Sequence, residues 1–209
     1  MRVTVQPLAP GGPSPAAVVV TLTDVTQGVR QKRELEEAMT FDRLTVALSR
    51  AGFEAALELT LSQPRDGAPR VAVGFLDLDG FKAVNDAHGH AAGDELLRLF
   101  TARLQAALRP GDVVARVHGD EFALLLPEVP DPAAAQQLGE VVVAAASAPF
   151  TLGSELARVS CSVGITWVRT ADATPGDVLR RADALMYAAK RAGKGRCEVD
   201  PGTWREQGG

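Results

Sequence analysis

The chain is poor in cysteine: only Cys161 and Cys197 occur in 209 residues. Two thiols cannot build a disulfide framework or a zinc cluster. Each sits in a strand-like run ("VSCSVGI" and "GRCEV"), where a free cysteine packs as a small hydrophobe. Long apolar runs are missing too. No stretch approaches the ~18 residues that a membrane span requires, so no membrane segment is expected in this chain. The opening "MRVTVQPLAPGG" lacks the charged-then-apolar profile of a secretory signal. There is no block of five or more like charges, and the net charge is −4, which argues against a dedicated nucleic-acid binder. These absences predict a reduced, cytoplasmic protein. What is present is ordinary globular material, 46% hydrophobic and 23% charged, enough to bury a core. The length suits one ordinary domain plus something smaller.

Residues 1–26 do not make a domain by themselves. "RVTVQPL" and "AAVVVTLTDV" read as two strands around a Gly/Pro loop. A lone hairpin is marginal in water and needs a partner surface. A polar helix is expected over 27–41, with sparse apolar positions at Val29, Leu35 and Met39. At that length it needs pairing or packing to persist. "DRLTVALSRAGFEAALELTLSQ" continues as an amphipathic helix. From residue 71 strands and helices alternate: strand 71–79, helix 93–108, hairpin 112–127, a helix capped by Asp131 with Pro132 at its first position, and a strand in "ARVSCSVGITWV". A helix between Thr174 and Gly193 and a short strand in "GRCEVD" follow. The pattern predicts an α/β fold, a mixed central sheet with helical cover. It shows no internal repeat.

The chemistry concentrates at strand ends. Asp77 and Asp79 close an otherwise apolar strand and, by alternation, share one face. Like charges that close need a cation or full solvent. "DLDG" opens like a calcium-binding loop, but Phe81, Lys82 and His88 fall where that loop needs an oxygen ligand, glycine and glutamate. "AGKGR" is no phosphate loop of the G-x-x-x-x-G-K type. A further pair, Asp120 and Glu121, stands in "RVHGDEFALLL" after an expected two-residue turn at His118-Gly119. If that hairpin lies beside strand 71–79, Asp120 can face Asp77. Carboxylates on neighbouring strands suit hard divalent cations and nucleotidyl transfer.

Three segments in order, "FLDLDGFKAVNDAHGHAAGDELL", "RVHGDEFALLLPE" and "RADALMYAAKRAGKGR", resemble the GGDEF family of diguanylate cyclases over roughly 42–200. The resemblance implies a palm-like α/β domain similar to nucleotide cyclases, with 201–209 as a tail. "VVVTLTDVTQGVRQKRELEEAM" looks like the last strand of a PAS-like sensor and its signalling helix. The family joins two GTP into cyclic di-GMP and releases two pyrophosphates. By resemblance, Asp77, the Leu78 carbonyl and Asp120 are metal ligands, for two Mg2+ with Mn2+ as the alternative, and Glu121 completes the acidic cluster. Asn85 and Asp94 match the guanine-reading positions. Lys190, Lys194 and the backbone around Phe81 and Lys82, taken as a turn, match the triphosphate site. Arg109 and Asp112 match the R-x-x-D site where the product inhibits. Catalysis in the family needs a homodimer.

The sequence departs from that pattern at four positions. His118 stands for the first glycine of the motif, and Lys194 for an arginine. "DRLTVALSR" resembles D-x-L-T-G-L-x-N-R, with Asp42, Leu44, Thr45 and Arg50 kept, but Val46 replacing glycine and Ser49 replacing asparagine. Two functions compete: an active cyclase, and a weak or inactive module that binds GTP or cyclic di-GMP and signals through a partner. A different nucleotide cyclase or a polymerase-like enzyme conflicts with the Asn85/Asp94 pair.

Overall fold

The computed structural model describes residues 2–7, 18–23, 40–62, 70–169 and 174–200. The chain divides into two compact units, 1–39 and 40–209. In the first, β1 (Arg2–Pro7) and β2 (Val18–Thr23) pair antiparallel with Arg2 opposite Thr23, the expected hairpin. The helix expected over 27–41 lies, up to residue 39, outside the described residues.

The second unit holds α1 (Arg50–Ser62), β3 (Arg70–Asp79), α2 (Phe81–His88), α3 (His90–Ala107), β4 (Val113–His118) and β5 (Glu121–Leu126). There follow α4 (Pro132–Ser147), β6 (Phe150–Leu152), β7 (Glu155–Ala157), β8 (Ser160–Arg169), α5 (Pro175–Arg191) and β9 (Cys197–Val199). Its main sheet runs β4-β5-β3-β8-β9, antiparallel except for the last pair. The period-2 alternation of β3 sorts its side chains between two layers. Ala72, Leu76 and Leu78 join one core with Leu96, Phe100 and Val142 from α3 and α4. Val71 and Val73 join the other with Phe53, Leu57 and Val178 from α1 and α5. Asp77 and Asp79 continue that second face to its open end.

Local caps hold where local chemistry predicts them. The Asp131 carboxylate accepts from the Ala134 amide at 2.8 Å, with Pro132 at the first helical position. The Thr174 hydroxyl accepts from the Asp177 amide at 3.2 Å, and beyond α5 Gly193 takes φ 114°.

Three expectations change. The helix expected from residue 42 begins only at Arg50. Residues 42–49 instead lie along β4: Leu48 donates to Val114 O at 3.1 Å and accepts from the Arg116 amide at 2.8 Å. Phe81 and Lys82 are not in a turn but open α2, behind Gly80 at φ 89°. His118 is the last strand residue, paired with Glu121, so the two-residue turn is Gly119-Asp120 and Gly119 carries the positive φ, 52°. The histidine therefore sits at no glycine-demanding angle. A ladder irregularity between Arg116 and His118 moves the turn by one residue.

Backbone strain falls instead on Val46, at φ 61° and 72% exposed. A β-branched residue in the left-handed region is an outlier, and exposure leaves little packing to offset it. Val46→Gly is expected to raise stability by about 1 kcal/mol, the left-handed penalty less glycine's greater chain entropy. Urea midpoints at unchanged m check this; a lower midpoint means that the valine side chain is held by contacts.

Candidate active site

The site is built where β3 and β5 end side by side. Asp77 lies opposite Glu121 in the antiparallel register, and the Leu78 amide donates to Asp120 O at 3.2 Å, carrying the pairing into the turn. This sets Asp120 beside Asp77. Burial, and next the negative charge of Asp77, push the Asp120 carboxyl above its ordinary range; Lys190 and Arg116 oppose them only in part. The Lys190 ammonium reaches Asp77 at 2.7 Å from the last turn of α5, with both side chains largely buried. A desolvated pair of carboxylates sharing one lysine attracts further positive charge.

Arg116 holds the turn from below. Its Nε donates to Gly119 O at 2.8 Å, and Nη1 donates to the Asp42 carboxylate at 3.2 and 3.4 Å. Burial raises the Asp42 carboxyl, but the hydroxyl and amide of Thr45 and the Arg116 charge outweigh it, so its net position is below the usual carboxylate range. Segment 42–49 is thus tied to the peptide before Asp120. Arg116 and its role were missed in the sequence; its one signal is a charge inside an otherwise apolar strand, two residues before the motif.

Asn85 and Asp94 come from α2 and α3. A Cβ at Gly93 would lie 2.0 Å from Asn85 Oδ1, so the glycine is what lets α3 seat against the amide, one residue from the exposed Asp94. Phe81 packs partly into the core below them, and Lys82 is exposed at the start of α2. Lys194 is exposed beyond α5 with φ 64°.

Not every expected acid joins the cluster. Among the described residues no group of three His, Cys, Asp or Glu side chains is arranged to hold a metal ion. Glu121 borders a neighbouring cleft of about 370 Å³, lined also by Arg50, Phe75, Val117 and Arg180. Asp79 is turned to protein donors. The set that remains, two carboxylates and main-chain oxygens, is hard-oxygen chemistry that fits a magnesium ion. The two thiols take no part: burial raises both, Cys197 to about 12, so neither is a ready nucleophile.

Arg109 and Asp112 lie just before β4, at the end of the β4–β5 hairpin away from the Gly119-Asp120 turn. The Asp112 side chain is only 1% exposed and accepts from the Arg109 amide and Nε, both at 3.1 Å; the guanidinium also donates to Pro127 O. A cleft of about 270 Å³ opens between Gln105, Arg109 and Val114.

Acids at the ends of adjacent antiparallel strands, a lysine from the covering helix, and a polar pair on two short-linked helices are thus carried by an α/β domain with a mostly antiparallel central sheet. Residues 39–196 match the family described as diguanylate cyclase, GGDEF domain, and the chain belongs to that family. It is 37% identical, over 94% of its length, to the probable diguanylate cyclase DgcE of Escherichia coli, of which it covers 18%. The GGDEF domain of TpbB from Pseudomonas aeruginosa superposes with a TM-score of 0.72 at 37% identity, covering 76% of this chain and 93% of that one. The GGDEF domain of DgcB from Caulobacter crescentus, solved in complex with c-di-GMP, gives 0.69 at 27% identity, covering 77% and 95%. The chain spans 18% to 36% of the length of the first curated relatives that it matches.

Proposed function

We propose that this chain is a diguanylate cyclase, condensing two GTP into cyclic di-GMP and two pyrophosphates. The observation that carries the proposal is the convergence of Asp77, Asp120 and Lys190 at the strand ends. Asp77, the Leu78 carbonyl and Asp120 would hold two magnesium ions, or manganese in their place. When bound, the metal neutralises triphosphate charge and lowers the pKa of a ribose 3′-hydroxyl. The protein supplies the positions. Asn85 and Asp94 hold the guanine edge, the acid accepting from its ring N–H and amino group. Lys190, Lys194 and the amides of Phe81 and Lys82 hold the phosphates. Glu121, opposite Asp77 in the strand register and bordering the neighbouring cleft, adds negative charge at the edge of the site.

The 3′-oxygen of one GTP attacks the α-phosphorus of the other in line. A P–O bond forms, the α–β bridge breaks, and pyrophosphate leaves. Each catalytic unit, 42–200, binds one GTP, so two copies must meet about a two-fold axis. Residues 27–41 would set that pairing, and 1–26 are the end of a PAS-like sensor. Among the described residues no helix is long and apolar enough to cross a membrane; a cytoplasmic location remains part of the proposal. Incubating the purified chain with GTP and magnesium and identifying the product by mass tests it. A second reading, a module that binds GTP or cyclic di-GMP without turnover, is favoured by the strained Val46 in the segment that holds Arg116. GTP binding with no product would select it.

Arg109 and Asp112 are proposed to bind the product. Arginine can clasp guanine O6 and N7, although here it must first release Asp112 or Pro127 O. Arg109→Ala is expected to weaken cyclic di-GMP binding on the order of thirtyfold, for about 2 kcal/mol of charge-assisted bonding. Calorimetry showing equal affinity in both proteins would remove the inhibitory site.

A further inference from the structure

We propose that Asp79 is a positioning residue for the nucleotide's phosphates: its carboxylate fixes the loop Gly193–Gly195 and so presents Lys194. The inference rests on the reading of Lys194 as a phosphate ligand. Asp79 is 8% exposed. Its Oδ2 accepts from Ser160 Oγ at 2.9 Å and from the Gly195 amide at 3.2 Å; Ser162 Oγ donates to the same carboxylate at 3.0 and 3.1 Å. Alternation along β3 puts the two acids on one face, where like charges need a cation or full solvent. The structure divides them instead: Asp77 faces Lys190 and Asp120, and Asp79 is hydrogen-bonded by three neutral protein donors.

The loop that it holds is a costly one. Gly193, Lys194 and Gly195 have successive φ values of 114°, 64° and 58°. Two glycines take such angles freely, but lysine does not. A non-glycine residue stays there only when its surroundings over-determine it. Two anchors do so: the Lys194 amide donates to Ala189 O at 3.0 Å, tying the loop to α5, and Asp79 ties Gly195 to the end of β3. Asp79 is two residues from Asp77 and directly before Gly80 and α2. The carboxylate therefore links the lysine loop to the strand end that carries the metal ligand and to the start of the helix whose amides face the phosphates. Charge-assisted bonds to a buried carboxylate are the strong kind and suit this task.

A binding cycle tests it, using the α,β-methylene analogue of GTP with magnesium, whose bridge cannot break. Lys194→Ala and Asp79→Ala are each expected to weaken calorimetric affinity about tenfold, and Asp79→Asn several-fold. The double variant should bind no more weakly than Lys194→Ala alone, because Asp79 acts through that lysine. If Asp79→Ala does not fold by circular dichroism, the isosteric Asp79→Asn carries the same cycle. Additive losses, the signature of a general structural role, overturn the proposal. Unchanged affinity in the Asp79 variants, with Lys194→Ala weakened, overturns it too and leaves the phosphate reading standing. Unchanged affinity in Lys194→Ala overturns both.

Discussion

Asp120→Asn is expected to abolish cyclic di-GMP synthesis while the protein stays folded. The amide keeps the size and one acceptor of the carboxylate but loses the charge that holds a metal. Withdrawing several kcal/mol of electrostatic stabilisation corresponds to a loss of roughly 10³-fold or more in rate. The direction of the stability change separates this from simple damage. Burial and the Asp77 charge raise the Asp120 carboxyl, so its ionised form is disfavoured in the folded state. An acid with a raised folded pKa costs stability above that pKa, and the cost vanishes as the group protonates at lower pH. Asparagine removes the cost, so the metal-free variant should melt at or above the wild type at neutral pH, with the gap closing on acidification. A variant that is folded by circular dichroism and still turns over GTP at near wild-type rate would falsify the metal assignment.

Gly164→Ala carries the largest expected effect on stability. Gly164 lies in β8 beneath α5, where a Cβ would stand 2.1 Å from Met186 N and 2.2 Å from Ala182 O. Both atoms are helix backbone, so no side-chain rotation relieves the overlap; the helix must lift from the sheet. Overpacking of this kind costs about 3 kcal/mol or more, a large part of an ordinary domain's stability. Because α5 also carries Lys190, nucleotide affinity should fall with it even in the surviving folded fraction. Urea denaturation gives the first quantity and calorimetry with the GTP analogue the second. A midpoint within experimental error of the wild type means that this strand and helix do not meet as closely as described.

Sequence by itself determined everything whose cause lies within a few residues. Asp131, Pro132, Thr174 and Gly193 set helix ends through their own side chains and backbone angles. The alternation of β3 placed Asp77 and Asp79 on one face before any neighbour was known, and the motif segments named Asn85, Asp94, Asp120 and Lys190 as candidates by type and order.

The tertiary structure decided what depends on partners far along the chain. Residues 42–49 have helical composition, but pairing with Val114 and Arg116 draws them along the sheet edge, and Val46 accepts strain as a result. The position of the turn was settled by the β4–β5 register and its irregularity, which gave the positive φ to Gly119 and left His118 in the strand. Two acids two residues apart on one face of β3 took different tasks: Asp77 met a lysine from α5, while Asp79 met two serines of β8 and the amide of Gly195. A carboxylate's role follows from which donors surround it, and those donors lie 81 to 116 residues away in the chain, beyond the reach of local pattern.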